Sequence, residues 1–402
     1  MWKNKHLVHF LGLTLHFFND DFKYVTLIVG FRKFIARHLA VNLKNFIQKE
    51  LTKLEILDKI VGVTADNASD IVKATSSGFG IRFSCFLHNL NLTLQPLVKQ
   101  QKKTKEIEEI QISENEYDSM SECESQKLND DDFELNEDVE DADLEEEESE
   151  DDKDSPGCIV ESQSLLSRIR KLVKMIRKCG NICSYAQKQI NLAPDLNNIK
   201  NFIIDFHIRW NSTFIMLKRV VKLKDIAMLI TEYPNKINGI TKKQREKLKK
   251  LELTEEDWLL VDILIKVLAP FFEVTKMLSG RQYETLSLSF VTKRILFHSL
   301  ENTSNDPKEA AVKDFVLTNL RHHLVEKPNI TDAQNKIILK AVYLDPVNLK
   351  WLNQDEINNT EKDLVNIFKN KPAPPLQNTQ KNDFGPNLAK IKSNQTKPLQ
   401  RS

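Results

Sequence analysis

The chain has 402 residues, with 58 Lys and Arg against 57 Asp and Glu, and 41% of it is hydrophobic. That length exceeds an ordinary single domain, and 21 Phe within this apolar content argue against wholesale disorder. Five scattered Cys make no disulfide framework, and no apolar run is long enough to cross a membrane as a helix.

At the start, Lys3 and Lys5 precede the apolar run Leu7 to Phe18, superficially like a signal peptide. His9 and His16 interrupt that run and no small-residue cleavage site follows, so secretion is not expected. Leu7 to Phe18 and Phe22 to Phe31 instead read as strands rich in β-branched and aromatic residues, with Asn19-Asp20-Asp21 as the turn. A helix is predicted from Ile35 to Leu54, where Leu39, Leu43, Phe46, Ile47 and Leu51 share a face. Lys59 to Ala65 reads as a short buried strand ending at Asp66. Ile81 to Phe86 reads as another, running into a helix through Leu90, Leu94 and Leu97. Two hairpin strands, a crossover helix and a further strand predict an α/β sheet over residues 1–101.

Residues 102–157 form an acidic segment expected to be disordered. Glu106 to Asp154 holds 25 acidic residues and 2 basic ones, so the other residues carry 56 basic and 32 acidic side chains. A basic body of this kind suggests a polyanion partner, most simply nucleic acid.

Beyond that segment the pattern is helical. Leu165, Ile169, Leu172, Ile176, Cys179 and Cys183 form one amphipathic stripe, and Trp210, Phe214, Leu217 and Val221 form a second. Thr254 with Asp257 predicts a capping box opening a third helix, kinked by Pro270. Glu284 to Leu300 and Ala310 to Leu324 are also read as helices. Residues 371–402 are rich in Pro, Asn, Gln and Lys and read as a disordered tail.

Several residues could carry chemistry. Asp66, at the carboxyl end of a buried strand, stands where an α/β sheet places metal or substrate ligands, although Asp66-Asn67-Ala68-Ser69 also suits a simple turn and N-cap. Cys85 and His88 are neighbours on a helix, but two ligands do not make a zinc site, and Cys179 and Cys183 continue an apolar stripe. No phosphate-cradling glycine loop occurs. Arg168, Arg170, Lys171, Lys174, Arg177 and Lys178 flank the first helical stripe. Lys242, Lys243, Arg245, Lys247, Lys249 and Lys250 form a denser run that would also serve as a nuclear import signal. The bland alternative for each run is a solvated helix face.

Six stretches resemble the hAT superfamily of DNA transposases and their BED-zinc-finger-type host relatives. Thr64-Ala65-Asp66-Asn67-Ala68-Ser69 is similar to the family's Thr-x-Asp-Asn-Ala-Ser, and Phe34 to His38 with Asn42-Leu43 to its preceding helix. Cys85-Phe86-Leu87-His88-Asn89-Leu90-Asn91-Leu92 resembles the Cys-x-x-His-x-Leu-Asn-Leu block. Arg209-Trp210-Asn211-Ser212-Thr213 carries another signature. Trp258, Leu268-Ala269-Pro270-Phe271 and Thr285-Leu286-Ser287 are similar to the next block, and Leu344-Asp345-Pro346 to the one after. The matches keep the family's order.

The resemblance implies a partial RNase H-like mixed sheet, interrupted by the acidic segment and a large helical insertion domain. That domain and the region after it would span 158–370. In the family, two Asp and one Glu hold two divalent metals for strand cleavage and transfer. Asp66 matches the second Asp, whereas the first would fall ahead of Met1 and the Glu belongs to a C-terminal block not recognised here. Nothing here resembles the family's BED finger. Trp210 matches an aromatic that stacks on a flipped base, and Cys85 and His88 a structural or active-site support.

The expected function is therefore a nuclear, transposase-derived DNA-binding protein, probing DNA without sequence preference through Arg209, Trp210, Arg168, Lys171, Lys174, Lys242, Lys243 and Arg245. With the first Asp and the final Glu of the triad missing, the resemblance implies a catalytically inactive chain, for which no cofactor is expected. An active transposase or nuclease would instead need Mg2+ or Mn2+ and carboxylates recruited from Asp20, Asp21 or Asp205. A third reading is a protein-interaction module whose 106–154 segment binds histones or other basic proteins. None of these readings involves a membrane.

Overall fold

The computed structural model describes residues 2–3, 9–34, 39–99, 157–196, 198–206, 210–280, 285–302 and 304–369. The acidic segment, Arg209 and the tail lie outside them. At the N-terminal end, β1 (Trp2–Lys3), β2 (His9–Phe18) and β3 (Tyr24–Phe34) form an antiparallel sheet in that order. The turn falls where Asn19 was expected to place it. Its carbonyl accepts from Phe22 N at 2.9 Å and its Oδ1 from Lys23 N at 2.8 Å, while Phe22 adopts φ 56°. Leu13 faces Gly30 and Thr14 faces Ile28, so Val29 is an extra residue in a bulge that adds twist.

Helix α1 (Ala40–Lys53) turns Leu43, Ile47 and Leu51 inward on one stripe. Ile47 and Leu51 pack with Leu11 and Phe79, and Leu43 with Phe34, Ile71 and Ala74. Strands β4 (Gly62–Ala65) and β5 (Ile81–Ser84) then pair in parallel through α2 (Ser69–Thr75). The buried strand expected over Lys59 to Ala65 is shorter and not buried: it starts at Gly62, its residues alternate between exposed and half-buried, and Val61 is exposed, because among the described residues one parallel partner and a short helix cover little of it. The single α/β sheet expected from the sequence is instead two sheets, since no ladder joins β4 and β5 to the first three strands among the described residues. Periodicity identifies a strand but not its partner, which is a long-range choice.

Helix α3 (Phe86–Val98) leaves β5 and buries Leu90, Leu94, Leu97 and Val98 in the large helical core rather than under the first sheet. By its packing it belongs with the helices that follow the acidic segment. Two side chains from α4 (Gly157–Lys178) satisfy carbonyls in its last turn, which have no intrahelical donor. Gln163 Nε2 donates to Pro96 O at 2.7 Å and Arg170 Nη2 to Val98 O at 2.9 Å.

The Leu165-to-Cys183 stripe, expected as one helix, is divided. Cys179 is extended (φ −97°, ψ 108°) and caps α5 (Gly180–Leu192), whose first residue is a glycine of poor helix propensity. The remaining helices are α6 (Trp210–Lys222), α7 (Lys224–Glu232), α8 (Lys242–Lys249), α9 (Glu255–Leu278), α10 (Leu286–Glu301), α11 (Pro307–Arg321), α12 (Asp332–Tyr343) and α13 (Gln354–Lys369). The predicted Thr254–Asp257 capping box opens α9, which stays helical through Pro270. A short π turn, His322–Glu326, follows α11.

Candidate functional site

The carboxyl ends of β4 and β5 are held together by Cys85 N donating to Ala65 O at 2.7 Å, and Asp66 follows immediately, half-buried. Asp66 Oδ1 accepts from Ala68 N at 3.3 Å, the local turn that an Asx residue makes with its own backbone. The N-cap of α2 is Ala68, with no side-chain cap, so neither Asn67 nor Ser69 takes the capping role considered from the sequence. Asn67 is engaged elsewhere. Its Nδ2 donates to Asn89 Oδ1 at 2.8 Å, and its Oδ1 accepts from Arg82 Nη2 at 3.0 Å. The same Arg82 nitrogen donates to the Asp66 carbonyl at 2.8 Å, and Arg82 Nε to Thr75 Oγ1 at 3.2 Å. Asn89 completes the frame by donating to Ser84 Oγ at 3.1 Å.

Asp66 therefore stands among amides, backbone and a guanidinium. Among the described residues, no group of three or more His, Cys, Asp or Glu side chains could hold a metal. Two-metal catalysis needs several oxygens around ions about 3.5–4 Å apart, and the described donors around Asp66 do not fit that requirement. The three carboxylates considered as recruits lie elsewhere in the fold. Asp20 and Asp21 are exposed in the β2–β3 turn. Asp205 is 7% exposed and ion-paired to Arg170 at 2.7 Å. Cys85 is the N-cap of α3 and His88 lies in its first turn, both half-buried. Cys179 and Cys183 are half-buried too, and Cys183 Sγ accepts from Asn201 Nδ2 at 3.1 Å.

The basic residues divide sharply. Arg168, expected to face a phosphate, is instead tied to Asp257, with Nη1 2.9 Å from Oδ2 and Nη2 bonded to Oδ1. That carboxylate also serves the α9 capping box, and its Arg168 and Thr254 hydrogen bonds hold its pKa low against the opposing effect of burial. Arg170 is 2% exposed, and Arg177 Nη1 donates to Phe202 O at 3.1 Å. Lys171, Lys174 and Lys178 remain exposed on α4, with no ion-pair partner among the described residues.

On α8, the Thr241–Gln244 capping box sets the start and Leu248 is the buried residue. Lys242, Lys243, Lys247 and Lys249 are exposed, as is Lys250, while Arg245 is half-buried with its Nε lacking a hydrogen bond. Gln244 Nε2 lies 3.9 Å from Cys179 Sγ and Asn181 Nδ2 donates to Gly239 O at 2.9 Å, so α8 docks at the junction of α4 and α5. Trp210 is 3% exposed, its ring edge-on to Phe271 at 6.3 Å, and Phe214 lies against Phe272 at 4.7 Å. Of the two roles weighed for Trp210, the packing is that of a core residue, with no ring face open to a base.

Sequence reasoning passed over a cavity of about 720 Å³ lined by Thr64, β5, the start of α3, α10 and the segment from Leu324 to Ile338. Its one sequence signal is the spacing of Phe290, Lys293 and Phe297, which puts a lysine on an aromatic helix face.

Residues 157–267, from α4 into α9, match the family model of the ZBED1 RNase-like helical domain. The chain is 27% identical over 325 residues to "Putative transcriptional regulator tpeD" of Talaromyces stipitatus, covering 77% of this chain and 32% of that protein. It is 30% identical over 116 residues to "Putative AC transposase" of Zea mays, covering 29% of this chain and 12% of that protein. The chain thus spans about a third or less of either relative's length. The chain is thus similar in part to a transposase and to a protein named as a transcriptional regulator.

Proposed function

We propose that this chain is a nuclear, transposase-derived, regulator-like protein that binds DNA without sequence preference and does not itself transfer strands. One observation carries the reading: the exposed lysines of α4 and α8, without ion-pair partners among the described residues, both lie in the segment similar to the ZBED1 RNase-like helical domain. Lysines free of internal carboxylates can displace counterions from phosphates, which is the main source of non-specific affinity. The relative named as a transcriptional regulator supports the regulatory side of the reading, and the surroundings of Asp66 support the inactive side. The RNase H-like ancestry of the β4–α2–β5 unit belongs to the same proposal, as does nuclear import through the exposed run 242–250.

The test is a salt titration of binding to a mixed-sequence duplex, comparing the parent with the Lys171, Lys174, Lys242 and Lys243→Gln variant. The log–log slope should fall by about 0.9 for each phosphate-contacting lysine removed. Equal affinity and slope in the two proteins would sink the proposal.

A second reading draws on the local charge. The segment 106–154, with 25 acidic and 2 basic residues, has the composition to bind histones or other basic proteins. Capture of core histones by the parent, but not by a chain lacking those residues, is the outcome it requires.

A further inference from the structure

The cavity beside β5 is walled largely by apolar side chains, among them Phe83, Phe290 and Phe297, with Asn335 also in its lining. Its volume of about 720 Å³ falls within the range of about 300–1,000 Å³ usual for small-molecule sites. Most of its charged lining is already engaged. Arg82 holds the Asp66 turn, Arg294 pairs with Glu356 at 2.6 Å while lying over Phe290 at 4.3 Å, and Glu301 pairs with Arg321 at 3.3 Å.

Lys293 differs. Its ammonium donates to the Leu324 carbonyl at 3.2 Å and has no carboxylate partner among the described residues. Burial lowers its pKa, because the charged form loses water without gaining a counter-charge. An ammonium has three donors, so a ligand acceptor can use those that Leu324 leaves.

We propose that this cavity is a binding site for an amphipathic organic anion, with its acidic head on Lys293 and its apolar or aromatic body against the phenylalanine wall. The shared chemistry is one anionic group on an apolar body, whether a carboxylate on an aliphatic chain or a phosphate on an aromatic nucleoside. The site is separate from the lysines of α4 and α8, so its failure leaves the DNA-binding reading untouched. Occupancy would still be felt near Asp66, since Asn89 both lines the cavity and holds Asn67.

The experiment uses the full chain and two fluorescent probes, 1-anilinonaphthalene-8-sulfonate and its uncharged analogue N-phenyl-1-naphthylamine. The sulfonate should bind at one site per chain and raise the melting temperature. Lys293→Met should weaken the sulfonate about tenfold or more, the loss of a charge-assisted hydrogen bond, and leave the uncharged probe bound. Ser289→Phe, which fills the cavity, should lose both probes. Should Lys293→Met not fold by circular dichroism, Asn335→Glu gives the same comparison by repelling the sulfonate alone. Competition by dodecanoate and by a nucleoside monophosphate then separates the two ligand sources. Sulfonate binding that is absent, or that is unchanged in the Lys293 and Ser289 variants, overturns the proposal.

Discussion

Asp205 Oδ2 lies 2.7 Å from Arg170 Nη2, with the two side chains 1% and 2% exposed. Asp205 also accepts from Arg170 Nε at 2.9 Å and from Thr213 Oγ1 at 2.7 Å, and Arg170 reaches the Val98 carbonyl. One ion pair thus joins the end of α3, the middle of α4 and the stretch leading into α6. Removing one member strands a buried charge, so Asp205→Asn or Arg170→Met should each cost about 3–5 kcal/mol in urea unfolding. Replacing both with apolar residues should cost much less. Single variants as stable as the parent would show that the pair contributes nothing to the fold.

Trp210→Ala should destabilise the protein by about 3–5 kcal/mol, because a large ring is removed from a closed core against Phe271. DNA affinity, measured where the variant is still folded, should be unchanged. Weakened DNA binding with full stability would restore the base-stacking role.

His323 is pushed down to about 4, first by burial and then by His322, Lys327 and His88. A base whose folded pKa lies below its unfolded value of about 6.5 is held neutral by the fold. Stability should therefore be full above about pH 6.5 and fall as pH drops towards 4, as the unfolded chain takes up the proton more readily. His323→Leu should flatten that part of the melting-temperature profile. Glu309 acts in a lower window. Hydrogen bonds from Lys266 and Lys313 hold it at about 2, so its stabilisation is present above the ordinary glutamate value and lost as pH falls towards 2. Glu309→Gln should therefore lower stability at neutral pH and flatten the fall in that lower window.

Gly80 has φ +71°, and a Cβ built there would stand 2.2 Å from Val61 O, where the chain enters the β4–β5 ladder. Gly80→Ala should destabilise by more than about 1 kcal/mol through strain and backbone displacement. Gly157→Ala is the control, since a Cβ there meets nothing within 4 Å. Equal melting temperatures for the two variants would contradict the backbone geometry at Gly80.

The 106–154 segment carries charge nearly equal and opposite to that of the rest of the chain, with 25 acidic residues within it and a basic excess elsewhere. Tethered to the lysines of α4 and α8, it should compete with DNA at high effective concentration. Deleting residues 106–154 should strengthen DNA binding and steepen its salt dependence, as more cations become free to release counterions. An unchanged slope after the deletion would reduce the segment to a linker.

The features legible in the sequence are those made within one turn of the chain. Asn19 closes its own hairpin, Thr254 and Asp257 cap α9 across three residues, and Asp66 ends a short strand. A likeness to a transposase was legible too, because its motifs are short runs. The tertiary structure alone decided which cations are available. Arg168, Arg170 and Lys171 look alike in sequence, yet Arg168 is claimed by Asp257 at a separation of 89 residues and Arg170 by Asp205 at 35, while Lys171 stays exposed. It also decided that β4 pairs with β5 rather than with the first sheet, and that Lys293 lines a cavity with no carboxylate partner among the described residues. Caps and turns depend on residues already adjacent, whereas burial and ion pairing depend on which distant segments share the core, and local periodicity carries no information about that choice.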